Sequence, residues 1–238
     1  MLQFNHNKYT FFTIYDSIKE YYPIGLPRQN IDMFLGYPGQ KKLEKILIEN
    51  IHLKNGIDSQ WEILNFKIEQ RIKKPLIKTT YGQAPCYSSR VVLKKTLNDN
   101  LARFQELSFF VSLVGKYYSV IGIDRNEITY NEKIYHSSNY LIVSPEGEYL
   151  SEFRHITNLI EQIFVGFRFV PFGIAKQHIE GLCVRYLEDL SNCIFYALFN
   201  SQINVDIQTV GDECYQYESW IDKDYIDDGK RWTSYPPQ

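Results

Sequence analysis

Between Ser108 and Asp124 the chain reads SFFVSLVGKYYSVIGID, two runs of β-branched and aromatic residues joined around Gly115-Lys116. A strand with one wet face alternates apolar and polar side chains. These runs are apolar almost throughout, which predicts a hairpin buried on both faces. Such a pair demands cover from two sides.

The flanking sequence offers that cover. Phe12, Tyr15, Ile18 and Tyr22 recur at helical spacing over Tyr9 to Tyr22, a helix ended by Pro23. A loop punctuated by Gly25, Pro27, Gly36, Pro38 and Gly39 follows. Gln40 to Leu53 then carries Leu43, Ile46, Leu47 and Ile51 on one face of a second helix, with Gly56 placed to stop it. Asp58 to Lys73 fits both helical spacing and alternation. Its Glu, Gln, Arg and Lys content and the cap at Asp58 favour helix. From Pro75 the character changes to strands at Leu76–Tyr81, Ser88–Leu97, Leu101–Val114 and Tyr117–Asp124.

Asn139–Ser144 reads as a further strand closed by Pro145-Glu146-Gly147, and Glu148–Phe164 as a helix with Phe153, Ile156 and Ile160 on one stripe. Phe167–Val170 is a short apolar piece, and a short helix or irregular segment runs from Gly173 to Leu187. Cys193–Phe199 is apolar almost throughout and is expected to be a central core strand, while Ile203–Val210 alternates like a strand with one wet face. The expected architecture is α+β: a mixed, largely antiparallel sheet packed by helices from the N-terminal region and from about 148–164. With no repeat and no Gly/Ser/Pro-rich linker, residues 1–238 are read as one domain. It has a helical part (1–56), a sheet-rich core (75–210) and an acidic, aromatic C-terminal segment (211–238).

Composition excludes several classes. At 44% apolar and 23% charged residues, the chain is not a disordered, collagen-like or disulfide-scaffold sequence. No apolar run approaches a membrane span, and the N-terminus lacks the pattern of a secretory signal, so a cytoplasmic protein that does not engage a membrane is expected. Cys86, Cys183, Cys193 and Cys214 form no Cys-x-x-Cys pair, which favours reduced thiols. Net charge is −2 but uneven: residues 1–100 carry 15 Lys/Arg against 9 Asp/Glu, and residues 101–238 carry 11 against 19. The basic surplus is scattered, so no nucleic-acid partner is expected.

Three constellations invite chemistry. In Tyr81-Gly-Gln-Ala-Pro-Cys86 a Gln precedes a Cys, as in hydrolases whose thiolate attacks while an amide stabilises the oxyanion. Cys86 would need a base such as His136, His155 or His178, and a Gly-Pro turn between strands explains the same residues without catalysis. His178 and Glu180, at i and i+2, would face apart on a helix. Phosphate-loop, dinucleotide and calcium-loop patterns do not occur, so neither a cofactor nor a metal is expected.

The third constellation lies near the end. Tyr215, Tyr217, Trp220 and Tyr225 are interleaved with Glu218, Asp222 and Asp224 in a stretch where eight acidic residues between Asp206 and Asp228 face one lysine, Lys223. Aromatic anchors among carboxylates have the composition of a surface that captures a basic protein. An arm docking those aromatics on the sheet is the competing account. The expectation is a non-enzymatic bacterial protein-binding protein, of the kind that inhibits a basic toxin domain such as a nuclease, as immunity proteins do. A Cys86 hydrolase and an interaction domain of other preference are the alternatives.

Overall fold

The computed structural model describes residues 12–26, 33, 36–52, 57–184 and 192–220. Its centre is a sheet of seven strands: β1 (Leu76–Lys78), β2 (Cys86–Asn98), β3 (Leu101–Ser112), β4 (Tyr117–Tyr130), β5 (Lys133–Ile142), β6 (Arg168–Phe169) and β7 (Thr209–Val210). The order is β1-β2-β3-β4-β5-β7, antiparallel from β1 to β5. The short strands β6 and β7 add parallel pairs to β4 and β5, which makes the sheet mixed.

Register divides the central hairpin into two faces, and each face has its own helical layer. Phe110, Tyr117, Ile121 and Leu141 project to one side, where they meet Ile14 and Ile18 of α1 (Phe12–Tyr21), Leu43 and Leu47 of α2 (Pro38–Leu47) and a short helix described below. Leu107, Phe109, Tyr118, Val120 and Ile142 project to the other. They meet Trp61, Leu64 and Ile68 of α3 (Asp58–Ile72), and Phe153, Ile156 and Ile160 of α4 (Leu150–Ile163). The continuous apolar run is thus buried on both faces, as its sequence requires. Gly122 permits one close approach: a Cβ there would lie 2.8 Å from the Ile142 Cβ and 2.9 Å from the Tyr149 ring.

The helices at 40–53, 58–73 and 148–164 form within a few residues of their expected bounds, the first starting at Pro38 and widening to a π turn over Ile48–His52. Two expectations need correction. Cys193–Phe199 is not a strand; Ile194–Leu198 form a helical turn, α6, following α5 (Phe172–Ala175). Phe195, Ala197, Leu198 and Phe199 are wholly buried, and the backbone of the turn bonds internally, Phe199 N–H donating to the Phe195 carbonyl at 2.8 Å. Along Ile203–Val210 burial alternates as expected, yet only Thr209 and Val210 pair as a strand. Asn204 Oδ1 accepts from the Asp206 N–H at 2.9 Å, a local turn that competes with the ladder.

A third difference is larger. β4 continues six residues past Asp124 to Tyr130, and β5 begins at Lys133 rather than Asn139. With β2 and β3 they form four strands that run beyond both helical layers.

Candidate functional site

This extension, called the wing below, begins at two irregularities in the ladder. Register shifts between Val92 and Lys94 of β2, and opposite Asp124/Arg125 where β5 holds an extra residue, Asn139. Beyond them β2 is exposed from Lys94 to Asn98, β4 from Ile128 to Tyr130 and β5 from Lys133 to Ser138. At the usual rise per residue this amounts to about 20 Å of sheet without a covering layer among the described residues. Two-residue turns, Asp99-Asn100 and Asn131-Glu132, close both hairpins at the same end.

Each face of the wing is tied down at its root by a charge cluster. On the face shared with α1 and α2, the buried Glu106 accepts from Arg125 Nε at 2.8 Å and Nη2 at 3.1 Å, with Arg90 Nη1 at 3.6 Å. Arg125 also pairs with Glu127, and its guanidinium lies 4.2 Å from the centre of the Phe104 ring, which Lys95 Nζ approaches at 5.0 Å. The Arg125 hydrogen bond holds the Glu127 carboxyl below its ordinary range.

On the opposite face, the buried Asp124 accepts from Arg103 Nε at 3.0 Å and Nη2 at 2.7 Å, from Tyr140 Oη at 3.2 Å and from Asn139 Nδ2 at 2.5 Å. Burial pushes the Asp124 carboxyl up; the bonds from Arg103 and Asn139 outweigh it, leaving the group below the usual carboxylate range. The bulge has an evident use here, since the extra residue is the one that reaches the carboxylate.

Past the root the surface turns apolar. Leu101, Ile128 and Tyr135 lie directly opposite one another on β3, β4 and β5, a row across one face with Tyr130 at its outer end. Leu97 and Ile134 project from the other face. Leu97 is 66% exposed, Tyr130 63%, Ile134 60% and Tyr135 52%. Among the described residues the strands on either side of the wing are open: β1 reaches β2 only at residues 89–91, and β7 reaches β5 only at Leu141 and Ile142.

The residues singled out from sequence fall elsewhere. Cys86 is wholly buried, burial pushes its thiol far up, and its hydrogen-bond partner is the Asn200 amide at 3.9 Å. None of the proposed bases reaches it: His178 Nδ1 pairs with Asn192 Oδ1 at 2.8 Å, His155 with Arg71 at 3.3 Å, and His136 stands on the wing 3.5 Å from Glu127. Cys193 faces His178 across an isolated bridge, but it too is buried, its thiol is pushed up to about 11 by burial, and Sγ donates to the Ala175 carbonyl at 3.1 Å. Among the described residues no group of three His, Cys, Asp or Glu is arranged to hold a metal ion.

The three described aromatics of the C-terminal segment, Tyr215, Tyr217 and Trp220, turn toward the protein's own core. Trp220 is buried, donates Nε1–H to the Phe169 carbonyl at 2.8 Å, stacks on Tyr117 and carries the Arg168 guanidinium 3.8 Å above its ring. Tyr215 packs edge-on against Phe153 and Phe169, and Tyr217 rests half-buried on the core beneath α1. Of the acids, Glu218, Asp206 and Asp212 face solvent, while Glu213 pairs with Lys176 and accepts from Thr209 Oγ1 at 2.8 Å. Asp222, Asp224 and Tyr225 lie outside the described residues.

Sequence reasoning missed the wing, although a signal was present. Ile128-Thr-Tyr130-Asn-Glu-Lys133-Ile-Tyr135 places β-branched and aromatic residues on both sides of a two-residue Asn-led turn. No helix of the described residues is long and apolar enough to cross a membrane. Comparison with protein-family models, curated proteins and solved structures returns no match.

Proposed function

We propose that this is a non-catalytic protein-binding protein whose contact surface is the wing. One observation carries the reading: Leu97, Leu101, Ile128, Tyr130, Ile134 and Tyr135 are exposed together at one end of a sheet whose root is fixed by two charge clusters. Clustered apolar side chains with a polar rim mark interaction surfaces, because leaving them in water forfeits roughly 25 cal/mol per Å² that a partner would recover. Tyrosine and branched aliphatic side chains held on a sheet also lose little conformational freedom on binding.

The narrower reading, an immunity-type inhibitor of a basic toxin domain, rests on the outward carboxylates Asp206, Asp212 and Glu218. These can steer a cationic partner, but the aromatic anchors beside them are engaged in the core. The hydrolase alternative has a buried thiol that, among the described residues, is hydrogen-bonded by Asn200 rather than by a histidine.

The test is differential capture. Wild-type protein, a wing variant (Ile128→Asn with Tyr130→Asn) and an acid variant (Asp212→Lys with Glu218→Lys) are immobilised and challenged with extract of the source cells. A partner retained by wild type and the acid variant but lost by the wing variant supports the wing. A partner lost only by the acid variant returns the function to the C-terminal segment.

A further inference from the structure

The two open edges of the wing are not alike. β2 presents Lys94 and Lys95, and exposed lysines on an edge strand oppose the approach of another strand. β5 presents Lys133-Ile-Tyr-His-Ser-Ser-Asn139, with a single lysine at the outermost position and, among the described residues, no neighbouring strand before Leu141. We propose that this edge of β5 pairs antiparallel with the same edge of a second copy of the chain, with Tyr135 opposite Tyr135 of that copy. The inference deepens the wing reading, on which it rests, by naming one occupant of the surface.

Three features of the sequence and register single out a second copy. First, a two-fold axis beside Tyr135 sets Ile134 opposite His136, Lys133 opposite Ser137 and Glu132 opposite Ser138, so no like charges meet. Second, the apolar row runs without a break through the axis. Leu101, Ile128 and Tyr135 of one copy continue as Tyr135, Ile128 and Leu101 of the other, each pair at cross-strand contact distance. Third, the pairing has a natural stop, because Asn139 is the bulged residue and is turned to Asp124. An isologous contact of this kind closes on itself and leaves the lysine-bearing edges of β2 at the two outer margins. The joined wings form an eight-stranded sheet.

Analytical ultracentrifugation of the full chain tests it. Wild type should sediment at twice the 28.2 kDa chain mass in a concentration-dependent manner. Tyr135→Lys, which apposes two charges at the axis, should weaken the dimer by about 100-fold or more. Thr96→Lys, on the exposed β2 edge, should leave it unchanged. Both sites are solvent-exposed in the single chain, so at a dilution where wild type is also monomeric the thermal melts should match. As a register check, Tyr135→Cys in a background with the exposed Cys214 replaced by Ser should oxidise to a covalent dimer. A wild-type monomer at the highest soluble concentration overturns the proposal, as does a dimer indifferent to Tyr135→Lys. Either result leaves the capture experiment above to judge the wing by itself, while a dimer that captures nothing would preserve this contact and count against that reading.

Discussion

The C-terminal segment and the wing both set tyrosines among charged residues, yet they use them in opposite ways. Around Trp220 the sheet end is covered: Arg168, Tyr117 and Phe169 enclose the indole and satisfy its N–H. At Tyr130 and Tyr135 four strands continue with no layer on either face among the described residues. Residue type is the same; what differs is whether a second element is present to receive the ring. Aromatic composition among acids is therefore a poor guide to an interface, because the energy that favours a partner equally favours the protein's own core.

Substitution should separate the two regions most strongly at their aromatics. Trp220→Ala is expected to cost about 3–5 kcal/mol in urea-induced unfolding, whereas Tyr130→Ala should stay within about 0.5 kcal/mol of wild type. Equal losses would erase the distinction. Next comes the root of the wing: Arg103→Met removes the fork on a fully buried carboxylate and should cost about 1–3 kcal/mol by the same measure, less than a buried pair because the arginine is half exposed. Asp124→Asn restores a neutral partner and, combined with Arg103→Met, should recover part of that loss.

Acid titration sharpens the comparison further. Asp124 and Glu127 at the wing root, and Glu213 in the C-terminal segment, all have carboxyls lowered in the folded protein. For a lowered folded value, the stabilisation is complete above the unfolded carboxylate range, near pH 4, and is lost as pH falls through the folded value. Unfolding free energy should thus fall with acidification below about pH 4, and Asp124→Asn should flatten that fall more than Glu213→Gln, whose group is less enclosed. The smallest effect belongs to the outer turn. Asn131 and Glu132 both hold positive φ, a conformation that suits Asn-Gly, so Glu132→Gly should stabilise by about 0.4–1 kcal/mol without changing capture by the wing.

What could be read in the sequence follows the layers. Leu43, Ile46 and Leu47, or Phe153, Ile156 and Ile160, betray a helix because each rests on something, and burial imposes a period. Ser108–Asp124 betrays a doubly covered hairpin for the same reason. Cys193–Phe199 is enclosed on every side, so its pattern carries no period and a helical turn was as compatible as a strand. From Ile128 outward no described layer covers the strands, and Arg125–Tyr130 and Lys133–Ser138 lack the alternation that marks a strand against a core. The surface with the strongest claim to function is thus the part that burial patterns describe least. Cys86 shows the converse, since a suggestive Gln-Ala-Pro-Cys spacing became ordinary once the thiol was found in the core.

β4 is one strand of 14 residues, supported between layers at Tyr117–Ile123 and unsupported from Ile128 to Tyr130. In engineering terms it is a cantilever. A sideways load at the tip of a cantilever produces its greatest bending moment at the wall, and here the wall is Asp124 and Arg125. Those two residues hold the ladder irregularity and anchor the charge clusters on both faces, so the reinforcement sits where a partner pulling on the wing would stress the sheet most.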